Sequence, residues 1–273
     1  MNKRLIKIFT WMLLLVSIPV MGAKTDLLML LPGFPGTTEQ AQPYVETMLR
    51  YIEKDLKLES GTMHGTFISD GTKAEAKLSE VKPGIALLGP SVYAKNSSDK
   101  TMKIVAKLFI LGQEEQKYYL VTKNDGADSI SDFADKTVSG VIVHDEKFVK
   151  NVIFDKGAPD SIIYKFNKRP LKALRDVASG TIDGALIDSA TKEHMDTLDF
   201  AKDLKIIYTS KPVPPPVIVV LNDSVKDAAK IKKSLTSICK TPEGKKLCNS
   251  LTISNIAPAS DRDYSELVKK YNR

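Results

Sequence analysis

The sequence predicts an α/β protein of two lobes, each a mostly parallel sheet flanked by helices, with the chain crossing between the lobes twice. Three observations predict this class. Short apolar runs of strand length alternate with helical patterns, as in parallel strands joined by helical crossovers. The alternation comes in two blocks, set apart by a pair of longer strand-like runs. After the second block lies Pro212-Val213-Pro214-Pro215-Pro216, whose fixed dihedrals exclude helix and central strand and suit an extended crossing.

The chain opens on Lys3, Arg4 and Lys7, an apolar run over residues 8–20, and small residues at Met21-Gly22-Ala23. This is the pattern of an export signal over 1–23, cleaved near Ala23. The run is short for a membrane span, and no cysteine beside the cut offers a lipid anchor. The signal takes three basic groups with it, so the formal charge falls from +7 to +4. That mild excess is spread over Lys-rich helices rather than gathered in a stripe with aromatics, so nucleic acid is not an expected partner.

Residues 25–31 (TDLLMLL) form a run apolar enough for a strand buried on both faces, ended by Pro32-Gly33-Phe34-Pro35-Gly36. Val45, Met48, Leu49, Ile52 and Leu56 then share a helical face, with Thr37 or Thr38 as cap. Proline is tolerated only in a first turn, so Pro43 implies a helix that begins near Gln40 or starts irregularly. Residues 63–69 read as a strand, Ala74, Leu78 and Val81 as a short helix, and 84–89 (GIALLG) as a third strand. Pro90-Ser91-Val92-Tyr93 opens another helical turn. Strand-like runs at 102–111 and 117–123 follow, and Tyr44, Tyr118 and Tyr119 are expected to pack. The second block has a short helix near Ser131, a strand over 137–143, a helix carrying Phe148, Val149, Val152 and Ile153, and a strand over 161–165.

Residues 170–198, PLKALRDVASGTIDGALIDSATKEHMDTL, say most about function. Pro170 suits a first helical position, Leu171, Leu174, Val177 and Ala178 recur at helical spacing, and Gly180 sits where a left-handed cap ends the helix. A short buried strand over 183–187 comes next, and Asp188 or Ser189 caps a second helix to about Leu198. A polar pair at the carboxyl end of a strand is where open parallel sheets present ligand-contacting groups, although both residues also suit plain caps. A strand over 204–209, the proline crossing, a strand over 217–221 and a helical remainder, including 225–238 and 264–271, complete the chain. The crossings fall at 112–118 and 210–217. They divide the mature chain into one lobe of 24–113 with 217–273 and another of 118–210, with a cleft lined by strand-end loops.

Cys239 and Cys248, close together in an exported chain, read as a disulfide. His64, His144 and His194 are scattered without short-spaced partners, so neither a metal nor a cofactor is expected.

GIALLGPSVYAK, DSISDFADKTV, LKALRDVASGTIDGALID, IIYTSKPVPPPVIVV and KTPEGKKLCNSL followed by Asp263-Tyr264 occur in an order and spacing that resemble the phosphate/phosphonate-type periplasmic solute-binding proteins of ABC importers. The resemblance covers most of the mature chain. It implies the two-lobed type II periplasmic-binding-protein fold and a soluble monomeric receptor in the periplasm. Such a receptor closes on a small molecule and hands it to a membrane permease. The family's phosphonate binders carry a serine-rich turn after the second lobe's first strand, where this sequence has Val143-His144-Asp145-Glu146-Lys147-Phe148. The family's histidine is replaced by Phe166 or Asn167, and its acidic crossing position falls among Pro214, Pro215 and Pro216. The expected ligand is therefore not a simple phosphonate, and Asp145, Glu146 and Asp188 favour one bearing a cation or several donors. If those carboxylates are only helix caps, the cleft is largely apolar.

Strand-end geometry nominates Thr37, Thr38, Ser91, Tyr93, His144, Asp145, Asp188 and Ser189 as ligand-binding residues. Packing of Tyr93 and capping by Asp145 are the competing readings. Two other functions fit the same fold, a ligand sensor for a membrane signalling receptor and an extracytoplasmic enzyme. The sequence offers the enzyme no nucleophile elbow, phosphate loop or metal spacing.

Overall fold

The computed structural model describes residues 26–32, 37–221 and 228–273. The expected export signal, residues 33–36 and the first residues of the helix expected from 225 lie outside these.

The first block gives β1 (Leu27–Leu30), α1 (Thr38–Leu56), β2 (Gly65–Ile68), α2 (Gly71–Val81), β3 (Ile85–Leu88), α3 (Pro90–Asn96) and β4 (Met102–Ile110). The second gives β5 (Tyr118–Lys123), β6 (Thr137–Gly140), α4 (Glu146–Phe148, running into a π-helical turn at Val149–Ile153), β7 (Ile163–Phe166), α5 (Pro170–Ala178), β8 (Gly184–Asp188), α6 (Ser189–Met195) and β9 (Leu204–Thr209). The chain closes with β10 (Val217–Leu221), α7 (Ala228–Ser237), α8 (Pro242–Ser250), β11 (Ile253–Pro258) and α9 (Asp261–Tyr271).

These strands form a six-stranded sheet ordered β11-β4-β10-β3-β1-β2 and a five-stranded sheet ordered β7-β6-β8-β5-β9. Pairing is parallel where helices cross over, at β2-β1-β3 and β7-β6-β8. The strands that enter or leave by a crossing join antiparallel, so both sheets are mixed. Burial explains the apolar runs: β1, β3 and β10 are buried throughout. Alternate residues feed opposite faces of the first sheet. Leu28, Leu30, Ala86, Leu88, Val217 and Val219 face α2 and α3, whereas Leu27, Met29, Ile85, Leu87, Ile218 and Val220 face α1, α7 and α8.

Several expectations are corrected. α1 is helical from Thr38, with Pro43 inside it on an exposed face. A capping box compensates at the start: Gln40 N–H donates to Thr37 Oγ1 (3.3 Å), and Thr37 N–H donates to Gln40 Oε1 (2.9 Å). Tyr44 does not pack and is 40% exposed, whereas Tyr118 is buried. β6 ends at Gly140 rather than running to 143, and residues Ile142–His144 turn into a 3₁₀ helix. At Gly140 a Cβ would lie 2.3 Å from Leu186 O, so only glycine allows β6 this close to β8. The C-terminal region is not all helix, because β11 pairs with β4. A register shift between Ile253 and Asn255 breaks the two-residue alternation that would have marked it as a strand.

The crossings touch through an isolated bridge, with Gln116 N–H to Val213 O and Val213 N–H to Gln116 O, both 2.8 Å, and where Ser210 N–H donates to Tyr118 O (2.8 Å) and Tyr118 N–H to Ser210 Oγ (2.9 Å). α9 spans the two sheets' helices. Near its start Tyr264 is fully buried, its ring edge-on to Tyr93 at 5.2 Å and its hydroxyl donating to Pro215 O (2.9 Å). Near its end Tyr271 packs on Phe148, and Asp155 pairs with Arg273 (2.9 Å), Lys211 (2.7 Å) and Lys270 (3.6 Å).

Cys239 and Cys248 are bonded, with Cα atoms 5.7 Å apart, on the face of the first sheet that carries α1, α7 and α8. Closing so short a loop stabilises by roughly 2 to 3 kcal/mol on the chain-entropy estimate. Intact mass before and after reduction should show no alkylated thiol in the unreduced protein. The Cys239→Ala/Cys248→Ala protein should lose about that much stability in urea titrations.

Candidate functional site

The carboxyl ends of both sheets' parallel strands converge on a cleft of about 650 Å³. From the first sheet come Leu31 and Pro32 after β1, Ser69 after β2, and Gly89, Pro90 and Ser91 after β3. From the second come Val141 and Ile142 after β6, Lys168 and Arg169 between β7 and α5, Pro170 and Leu171 opening α5, and Leu186, Ile187 and Asp188 at the end of β8. The crossing residues Gln116 and Pro216, together with Tyr118, floor it, and Thr191 and His194 of α6 close one side. Ligands settle at such ends because the helix and loop starts there carry free polar groups.

Of the eight nominated residues, Ser91 and Asp188 line this cleft. Thr37 is the exposed cap of α1, and the Thr38 hydroxyl donates to Phe67 O at 2.8 Å. Tyr93 is 6% exposed and packs on Tyr264, the competing reading of that ring. Ser189 Oγ accepts from Lys117 N–H (3.0 Å) and donates to Lys117 O (3.2 Å), which fastens α6 to the outgoing crossing. His144 holds Val141 O at Nδ1 (2.9 Å) and sets its ring edge-on to Phe166. That ring also covers Gly71 at the start of α2, where a Cβ would come within 2.5 Å of it. His144 is thus a packing contact between the two halves.

The expected acidic cleft is not met. Asp145 is buried, and its carboxylate accepts from Phe148 N–H (3.0 Å) as the cap of α4. Glu146 is exposed and lies 3.9 Å from Lys150. Asp188, the one carboxylate of the lining among the described residues, caps α6 by accepting from Thr191 N–H at 2.8 Å. Besides Asp188, the charges at the cleft are Lys168 and Arg169, both exposed and without an ion pair among the described residues. Strand-end reasoning passed over them because it stopped at Phe166 and Asn167. The tetrapeptide Asn167-Lys168-Arg169-Pro170 was the available signal, since Pro170 opens a helix straight after a strand.

Burial raises the Asp145 carboxyl above its ordinary range, opposed by the Phe148 amide and by the nearby charges of His144 and Lys95. Tyr118 is raised in the same sense by burial and by Asp188, its antiparallel partner in β8.

Two helix-flanked mixed sheets with a strand-end cleft between them define a binding protein of type II periplasmic architecture. Solved structures share it. A Xanthomonas citri protein bound to chloride ion superposes with a TM-score of 0.74 at 12% identity, covering 92% of this chain and 98% of that one. The binding-protein component of a Pseudomonas aeruginosa ABC phosphonate transporter gives 0.67 at 16%, covering 92% and 88%. PhnD1 of Prochlorococcus marinus in complex with methylphosphonate gives 0.65 at 12%, covering 92% and 99%. No curated protein matches by sequence. The chain belongs to the family of ABC transporter, phosphonate, periplasmic substrate-binding proteins, whose model matches residues 36–264.

Asp145 yields a test of its structural role. Its folded-state pKa lies above the unfolded value of about 4, so its contribution to stability is complete below about pH 4 and is lost as pH rises through the folded value. Asp145→Asn, which keeps an N-cap acceptor, should remove that loss. The variant should then be more stable than the parent at pH 7 and should show no gain at pH 4, as read from urea midpoints.

Proposed function

We propose that this protein captures a small solute between two lobes, 24–113 with 217–273 and 118–210, and delivers it to the permease of an ABC importer. The lobes close about the crossings at 112–118 and 210–217. The observation that carries the reading is the cleft, because each wall is built from strand ends of a different sheet. The small number of bonds between the crossings, the Gln116–Val213 bridge and the Tyr118–Ser210 pair, supports a hinge there. Family membership favours binding and transport over catalysis or sensing. Export with cleavage near Ala23 and a monomeric state complete the proposal. Among the described residues no helix is long and apolar enough to cross a membrane.

The ligand differs from a compact phosphonate. At the family's anion turn the Asp145 carboxylate already takes the Phe148 amide, so that donor is used within the chain. A like charge there opposes an incoming oxyanion by about 4 kcal/mol at 4 Å and an effective dielectric of 20.

Two measurements check this. Paired spin labels on Ser79 of α2 and Lys172 of α5 should report a shorter distance when a confirmed ligand is added; an unchanged distance would sink the hinge. Calorimetry with phosphate, methylphosphonate and 2-aminoethylphosphonate should show no micromolar binding, and one such affinity would overturn the exclusion.

A further inference from the structure

The cleft's own chemistry narrows the ligand further, on the reading of it as the solute site. Its walls are apolar on both sides, with Leu31, Ile110 and Leu111 facing Ile142, Leu171 and Ile187. Two of these are unusual. Leu111 is 43% exposed and Leu171 is 44% exposed, although each carries a large apolar side chain. Leu111 also holds φ at +53°, a left-handed conformation that a leucine adopts only at a cost. That conformation belongs to the tight turn Leu111-Gly112, closed by Gln113 N–H to Ile110 O (2.9 Å), and it leaves the Leu111 side chain on the cleft opposite Leu171.

The polar groups are equally specific. Ser91, Tyr118 and Thr191 are 2%, 6% and 8% exposed, all line the cleft, and none of their hydroxyls has a hydrogen-bond partner among the described residues. These hydroxyls open onto the cleft, where a ligand or water can take them. Across from Ser91, α5 begins without a side-chain cap, preceded by Lys168 and Arg169. Its free amides, a planar guanidinium and an ammonium all prefer an oxyanion.

We propose that the ligand is an amphipathic anion, a carboxylate or phosphonate head group on an apolar body. The head group meets Arg169, Lys168 and the Leu171 and Lys172 amides that follow Pro170, the three hydroxyls supply the remaining hydrogen bonds, and the body lies between the Leu and Ile walls. Recognition of this kind does not use the family's turn at 143–148. It also accounts for unpaired cations beside exposed leucines, which a small hydrated anion would leave uncovered.

The test is calorimetry with octanoate and octylphosphonate as the two head groups, butanoate as the short control, and octyltrimethylammonium and arginine as cationic controls. At least one octyl anion should bind. If it is octanoate, affinity should fall about fourfold for each methylene removed toward butanoate, following the usual burial increment. Arg169→Gln should weaken the bound anion at least tenfold, and Leu171→Ser should weaken it comparably. Both side chains are exposed, so unchanged thermal melts will show that the variants fold. An anion that binds without regard to Arg169 overturns the assigned head-group site. Binding of a cationic control in place of the anions overturns the inference while the solute-binding reading stands. Binding of none of these probes also overturns it. Failure of the solute-binding reading is scored separately, as no change in inter-lobe distance with a crude small-molecule extract of the producing cells.

Discussion

Tyr264 is the side chain on which both halves of the molecule lean. A run of prolines at 214, 215 and 216 offers no N–H, so the Pro215 carbonyl, buried beside α3, needs a donor from elsewhere. The phenol of Tyr264 supplies it, and its ring fills the space against Tyr93. That one contact fixes where α9 starts, and α9 in turn fixes how the second sheet's helices meet the first. At the far end of the same helix, the chain grips Asp155 through Arg273 and Lys270 and lays Tyr271 on Phe148. The cleft lies between halves that are joined by thin crossings and by this helix.

The site's electrostatics follow from which charges the fold takes in and which it leaves out. Asp145 sits inside, held by a backbone amide and desolvated enough to raise its pKa. Lys168 and Arg169, on a connection between an edge strand and a helix, stay outside with no partner to neutralise them among the described residues. A chain whose acidic and basic residues nearly balance can therefore present a cationic cleft. Counting charge near a loop in sequence missed this, because the sign of a site depends on side-chain direction.

Much of the architecture was legible for a plain reason. Runs such as LLML, IALL and VIVVL are buried on both faces and look it, and Pro170 and Gly180 bracket α5 with little ambiguity. β11 was illegible because its bulge scrambles the pattern, and β6 read too long because Val141, Ile142 and Val143 stay apolar after the strand has turned into a helix. At the site, Asp188 and Ser91 were readable from strand-end position. Tyr93 and His144 were not separable from ligand contacts, since their destinations, Tyr264 and Gly71, lie far away in sequence. The cations follow Asn167 directly in sequence, but nothing in the residue pattern tells that their side chains stay unpaired at the cleft.

The proline crossing has a consequence outside ligand handling. Along residues 212–216 the only backbone N–H belongs to Val213, and Gln116 already holds it. A foreign strand arriving at this segment finds carbonyls but no donors, so it cannot build the ladder by which exposed extended segments recruit one another. The connection between the two halves is thereby guarded against strand recruitment once the Gln116 bridge has formed.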